Sequence, residues 1–119
     1  MKTLDLLLPA ILAFGIFNVW FVREKRSSPY RGGDAPNLQA EFASYGLSSS
    51  MFYLVGGLKV LAAVLLLLGY VMPVLVQPAA ALLALLMLGA VLMHAKVKDP
   101  AIRYLPASLM LLMALLLLL

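Results

Sequence analysis

Cysteine is absent from this chain of 119 residues, and histidine occurs only once. The missing cysteine excludes disulfides, thiol catalysis and thiolate metal sites. One histidine without cysteine cannot supply the ligands of a structural zinc or haem site. The serines form no nucleophile–base–acid trio, and Gly32-Gly33 and Gly56-Gly57 lack a phosphate-binding pattern. We therefore predict no metal site and no catalytic residues.

Charged residues are also scarce, at 12% of the chain against 65% hydrophobic residues. A soluble domain is closer to half apolar and a quarter charged. At about 20 apolar residues per membrane crossing, the length allows four spans and no separate soluble domain. The net charge of +4 lies in short loops beside apolar segments, so it predicts membrane topology and no nucleic-acid partner.

The hydrophobic pattern predicts an all-α membrane protein, a four-transmembrane-helix bundle that forms a single domain over residues 1–119. Pro9 and Pro106 fall inside apolar segments, where neighbouring helices can satisfy freed carbonyls. The first segment ends in Trp20, Phe21 and a basic cluster, so we predict a retained anchor with an interfacial aromatic belt rather than a cleaved signal peptide. The helices are predicted at about residues 3–22, 51–70, 74–94 and 100–119.

A short amphipathic or re-entrant helix is predicted between helices 1 and 2, at residues 37–45. Leu38, Phe42 and Tyr45 are spaced to share one helical face, which we expect to be buried. Gly46 follows them, where a helix C-terminal glycine belongs.

Polar residues before the apolar segments predict helix N-termini. Ser48, Ser49 and Ser50 can cap the second span. Asp99 before Pro100 matches an N-cap followed by a proline at the first helical position, so we predict the fourth helix to begin there.

The basic residues predict the orientation in the membrane. They cluster after helix 1 and after helix 3, whereas the turn between helices 2 and 3 has none and the N-terminus has only Lys2. The positive-inside rule then makes loops 23–50 and 95–99 cytoplasmic and places both termini outside. The residues that carry this prediction are Arg23, Lys25, Arg26, Arg31, Lys96, Lys98 and Arg103.

Lys59 is the only cation inside the long apolar segments. A charge at that depth is costly and usually faces the bundle interior or a polar cavity. Gly56 and Ala63 lie three residues before it and four after it, so they predict close helix contact on its face. The alternative is a lysine whose amine reaches the headgroups along its flexible stem.

We predict that Lys59 belongs to an intramembrane polar cluster. A buried ammonium needs a partner, and Glu41 is the first choice of acid, with Asp99 the second. The alternatives are a solvated acid for Glu41, an interfacial position for His94 and an interhelical hydrogen bond for Asn18. The candidate ligand-binding residues are Lys59, Glu41, Asn18, His94, Tyr45 and Asp99.

The chain resembles the DoxX-like family of small four-helix membrane proteins in five motifs. They are RGGDAPNL (31–38), EFASYGL (41–47), YLVGGLKVL (53–61), LMLGA (86–90) and HAKVKDP (94–100). The resemblance covers nearly the whole chain and implies a bacterial cytoplasmic-membrane protein. The family's namesake is a subunit of a thiosulfate:quinone oxidoreductase. The family pattern has an acid after the glycine of helix 2, where this chain has Lys59, so no role of that acid is transferred.

These observations favour a non-catalytic subunit of a membrane complex, or a binder of a lipophilic ligand such as a quinone. Quinone carbonyl oxygens would accept hydrogen bonds from Lys59 or His94. The alternatives are a small dimeric proton-coupled transporter and a membrane redox enzyme that needs a partner subunit, since no side chain here carries electrons. The expected partners are the lipid bilayer, other membrane subunits or a second copy of the chain.

Overall fold

A computed structural model describes residues 3–22 and 32–119 of the chain. These residues form helices and turns, and no strand occurs among them. The predictions made for Lys2 and for the basic loop with Arg23, Lys25, Arg26 and Arg31 lie outside the described residues. Within those ranges, the α-helices are α1 (Thr3–Phe17), α2 (Leu38–Ser44), α3 (Ser49–Leu68), α4 (Val76–Lys96) and α5 (Leu105–Leu118).

In the part of the chain that the structure describes, three helical stretches are long and apolar enough, by length and composition, to cross a membrane. They are Ser49–Leu68, Pro73–Lys96 and Ala101–Leu118, with 20, 24 and 18 residues. Leu6–Phe21 forms a shorter apolar helix. The outer faces of these helices expose large side chains that would be costly in water and are typical of contact with lipid chains. Examples are Leu54, Leu61, Leu85 and Leu112.

Small residues lie where the long helices meet. Helix α4 packs along α5, α1 packs along α3, and α3 also contacts α4. Small side chains let helix backbones approach closely, and this gives packing without a hydrophobic driving force in lipid. Fully buried alanines at these contacts are Ala62 and Ala63 of α3, Ala79 and Ala80 of α4, and Ala114 of α5.

The hydroxyl group of Tyr70 bridges two backbone groups of α1 beside Pro9. It donates a hydrogen bond to the Leu6 carbonyl and accepts one from the Ala10 N–H at 3.1 Å. These two groups are four residues apart, so an unbroken α-helix would join them directly. A side chain inserted at this level is a recognised cause of helix bending, and Pro9 adds to it.

We expect Tyr70→Phe to lower the free energy of unfolding by about 1–3 kcal/mol, because two backbone groups in an apolar region lose a partner. Unfolding in mixed dodecylmaltoside and dodecyl sulfate micelles measures this. Tyr53→Phe is the matched control, since Tyr53 is 67% exposed. Equal stability of the two variants would contradict the bridging role.

Helix α2 is delimited by polar and glycine caps. The side chain of Asn37 accepts a hydrogen bond from the Ala40 N–H at 2.8 Å. At the other end Gly46 has φ +82°, and the Leu47 N–H bonds to the Phe42 carbonyl at 3.1 Å. This is a Schellman ending, which requires the left-handed conformation that glycine adopts freely. The predicted C-terminal glycine is therefore confirmed.

The buried face of α2 carries the residues that the spacing predicts. Leu38, Phe42 and Tyr45 are 5–7% exposed, whereas Gln39 on another face is exposed. The next helix begins directly afterwards, because Ser48 accepts a hydrogen bond from the Met51 N–H at 3.2 Å as its N-cap. Helix α2 thus lies against the long helices rather than in the surrounding medium.

Candidate functional site

An aromatic cluster fixes α2 against α1 and α3. The centroid of the Trp20 ring lies 5.1 Å from that of Phe52 and 5.9 Å from that of Phe42. Trp20 belongs to a π-helical segment, Asn18–Val22, that continues α1, and it is only 8% exposed. Trp20 therefore packs against other side chains of the protein. The indole has room in the interior because Gly56 has no Cβ, and a Cβ there would overlap the six-membered ring.

The carboxylate of Glu41 is buried beside this cluster. Its Oε1 atom accepts hydrogen bonds from the Tyr45 hydroxyl at 2.6 Å and from the Gly32 N–H at 3.1 Å. Glu41 precedes Phe42 in α2, so docking of the aromatic face carries the acid inward with it. The alternative of a solvated acid is excluded by its 7% exposure.

The C-terminal end of α4 brings Asp99 back onto His94. The Asp99 N–H bonds to the His94 carbonyl at 3.0 Å, and the Lys98 N–H bonds to the Ala95 carbonyl at 3.1 Å. This is a second Schellman ending, with Lys98 in the left-handed conformation at φ +56°. As a result, the Asp99 carboxylate reaches the His94 ring, with Oδ2 2.8 Å from Nδ1.

Two further groups hold the Asp99 carboxylate. Its Oδ1 atom accepts from the Gly33 N–H at 3.0 Å and from the Arg103 guanidinium at 2.9 Å. Burial favours the neutral acid, but the hydrogen bonds from Gly33, His94 and Arg103 outweigh it and lower the pKa of Asp99. The predicted N-cap role of Asp99 is wrong, since Pro100 occupies that position and Asp99 makes these contacts instead.

The ring of His94 is enclosed by two tyrosines. Its centroid lies 5.8 Å from that of Tyr45 and 5.5 Å from that of Tyr104. His94 is 5% exposed, so its ring lies inside the protein. Its Nε2 atom is 3.9 Å from Oε1 of Glu41, which is beyond hydrogen-bond distance. The imidazole therefore stands between two carboxylates and is bonded to one of them.

Lys59 is half-buried and lies above Trp20. Its Nζ atom is 5.9 Å from the indole centroid, which is within the range of a cation–π contact. Among the described residues no carboxylate lies within 4.0 Å of Nζ, so the predicted ion pair with Glu41 or Asp99 is wrong. Both acids are held by donors close to them in the fold, and Lys59 reaches the cluster only across a cavity.

That cavity has a volume of about 380 Å³ and lies among α1, α4 and α5. Polar residues line part of its wall, namely Asn18, Glu41, Lys59, His94 and Arg103. The remaining wall is mostly apolar and includes Ile16, Val19, Met87, Met110 and Met113. Ile11 and Leu109 also line it and are 50% and 49% exposed, so the cavity opens between α1 and α5.

The structure brings four of the predicted site residues into direct contact, and it places the other two on the same cavity. Glu41, Tyr45, His94 and Asp99 form the contact network. Sequence reasoning missed Arg103, Trp20, Gly32 and Gly33. A signal existed for Arg103, which follows Asp99 by four residues in a helical turn, the spacing of an ion pair.

Apolar helices of membrane-spanning length around a buried ionic cluster define an integral membrane protein. The chain belongs to the DoxX-like family, whose model matches residues 32–117. That match includes most of the cluster, from Gly32 and Glu41 to Arg103. No curated protein and no solved structure matches the chain.

Proposed function

We propose that the protein is a non-catalytic membrane protein that binds a lipophilic ligand, such as a quinone, in the cavity between α1, α4 and α5. One observation carries this proposal: a cavity of about 380 Å³ has mostly apolar walls, polar residues on one part of its lining, of which Glu41 and His94 are buried, and an opening between two apolar helices. Ligand sites are usually concave and mostly apolar, with a few polar groups that orient the ligand.

The proposed ligand has a polar head and an apolar body. The Lys59 ammonium carries only donors, so it would bind a carbonyl or another acceptor oxygen on the head. The methionines Met87, Met110 and Met113 are flexible and polarisable, and they adapt well to an aromatic ring. A long tail would leave past the half-exposed Ile11 and Leu109 towards the lipid chains.

We further propose that α1 and the three longer apolar stretches form a four-span bundle in a bacterial cytoplasmic membrane, with residues 1–119 as one domain. Loops 23–50 and 95–99 would be cytoplasmic and the termini outside. Support comes from the Lys96 ammonium, which donates to the Tyr45 carbonyl at 2.7 Å. This bond places the end of α2, which belongs to the predicted cytoplasmic loop 23–50, beside the basic end of α4, which leads into loop 95–99.

As a non-catalytic subunit, the protein would present the bound quinone to a partner that carries electrons. Its partners would be other membrane subunits or a second copy of the chain. The opening between α1 and α5 would let the ligand exchange with the lipid phase. This role needs only binding groups from the chain itself.

A built-in reporter tests ligand binding, because Trp20 is the only tryptophan and lines the cavity. We expect ubiquinone-1 to quench the fluorescence of the protein in lipid nanodiscs with a saturable dependence on concentration. Lys59→Met should raise the dissociation constant about tenfold or more, since a hydrogen bond to a charged group contributes about 1.5–3 kcal/mol.

Lys98→Met is the matched control, because Lys98 is exposed and does not line the cavity. It should bind ubiquinone-1 as the unmodified protein does. The proposal would be refuted if quenching rose linearly with ubiquinone-1 and did so equally in all variants and in nanodiscs containing free tryptophan amide. Such quenching would result only from collisions in the lipid.

A further inference from the structure

Two titratable groups on the cavity wall each present a nitrogen atom that has no hydrogen-bond partner among the described residues. One is Nζ of Lys59, which faces the Trp20 ring. The other is Nε2 of His94, whose nearest charged atom is the Glu41 oxygen at 3.9 Å. His94 is 95% buried, and a buried polar atom without a partner costs stability unless a ligand or water satisfies it. Together these atoms indicate which hydrogen-bonding groups a head group in the cavity would need.

The two atoms need opposite hydrogen-bond partners, one a donor and the other an acceptor. Asp99 is held as a carboxylate by Gly33 and Arg103, so it can only accept a hydrogen bond. The proton at the 2.8 Å contact must therefore be on Nδ1 of His94. In the neutral imidazole this leaves Nε2 as an acceptor, with its lone pair free for a donor on the ligand. Lys59, in contrast, offers only donors.

We infer that the head group donates a hydroxyl hydrogen bond to Nε2 of His94 while its other oxygen accepts from Lys59, so that the cavity prefers a hydroquinone, or another lipid-soluble phenol, to the oxidised quinone. This inference rests on the proposed function. A quinone has acceptor oxygens only, so of these two atoms it satisfies only the one on Lys59. A hydroquinone carries both a donor and an acceptor, so its hydrogen-bonding chemistry matches both atoms.

Asp99 acts here as a positioning residue, because it sets which nitrogen of His94 carries the proton. An asparagine at this position could donate its amide N–H to Nδ1 and place the imidazole proton on Nε2. The wall would then present donors at both places, and these suit the carbonyls of a quinone. The preference between the two redox forms, rather than affinity as such, therefore reports on this arrangement.

The experiment measures the dissociation constants of ubiquinol-1 and ubiquinone-1 by isothermal titration calorimetry, without oxygen, on the full chain in detergent micelles. We expect the unmodified protein to bind ubiquinol-1 about tenfold tighter than ubiquinone-1, which corresponds to a difference of about 1.4 kcal/mol in binding free energy. D99N should abolish or reverse this ratio. R103Q also removes the ion pair between Asp99 and Arg103, but it leaves the Asp99 carboxylate beside Nδ1 of His94. The ratio of the two dissociation constants should therefore stay in favour of ubiquinol-1.

The outcomes separate the inference from the proposed function. If neither form binds, the proposed function fails. If both bind equally, or ubiquinone-1 binds tighter, the cavity binds quinones but the hydroquinone preference is overturned. A ratio that falls as much in R103Q as in D99N would also overturn it, since the ion pair and not the proton position would then set the preference. If D99N does not fold, the ratio in the unmodified protein decides.

Discussion

Asp99→Ala should destabilise the protein by about 3–5 kcal/mol, the range measured when one partner is removed from a buried ionic group. The carboxylate is the common acceptor for the Gly33 N–H, the His94 ring and the Arg103 guanidinium. Without it, the buried His94 ring, the Gly33 N–H and the Arg103 guanidinium lose a shared acceptor at once. Equilibrium unfolding in mixed micelles measures the loss.

Acid unfolding gives an independent check on the same carboxylate. The pKa of Asp99 is lowered in the folded protein, so its contribution to stability is fully present above the ordinary aspartate value of about 3.9. The contribution should fall as the pH drops below that value towards the lowered pKa. Asp99→Ala should lose this part of the acid dependence. If both proteins show the same acid profile, the carboxylate is not held as the structure shows.

Gly56→Ala should disrupt the aromatic cluster although it adds one methyl group. The new Cβ would overlap the indole of Trp20, whose other side is packed against Phe42 and Phe52. Overpacking of this kind costs about 1–3 kcal/mol. Because Lys59 lies over the same ring, we also expect a weaker response of Trp20 fluorescence to ubiquinone-1.

The neighbouring glycine supplies a matched control. Gly57 lies in the same helix, and a Cβ there would meet nothing within 4 Å. Gly57→Ala should therefore stabilise α3 by about 0.5–1 kcal/mol, since alanine loses less conformational entropy in a helix. If the two alanine variants have the same stability and the same tryptophan emission, the close approach of Trp20 to Gly56 is refuted.

The helical architecture could be predicted because local signals and apolar periodicity agree. Gly46 ends α2 where a left-handed residue is needed, and Ser48 caps the next helix. Asp99 shows where such signals fail. An aspartate before a proline is typical of an N-cap, but the Schellman ending of α4 had already assigned the Asp99 backbone to the preceding helix. The N-cap pattern and the Schellman pattern both include Asp99, and only the three-dimensional structure shows which one forms.

The sequence predicted that these polar residues cluster, but it did not predict which hydrogen bonds they make. Polar residues in an apolar chain must find partners, and this places Glu41 and His94 in a common interior region. Which donor reaches which acceptor depends on the relative positions of helices far apart in sequence. The inward position of Trp20 depends in the same way on a π-helical segment and on Gly56. No spacing within the sequence encodes either feature.

The short span between His94 and Asp99 has a consequence for the order of assembly. Their contact joins residues five apart and needs only the last turn of α4, so it can form on the microsecond timescale of helix formation. The contacts of His94 with Glu41 and Tyr45 join segments about fifty residues apart and must await the docking of α2. The contact between His94 and Asp99 can thus form as soon as the end of α4 has folded. The contacts of His94 with Glu41 and Tyr45 form later, when α2 docks and closes the cavity.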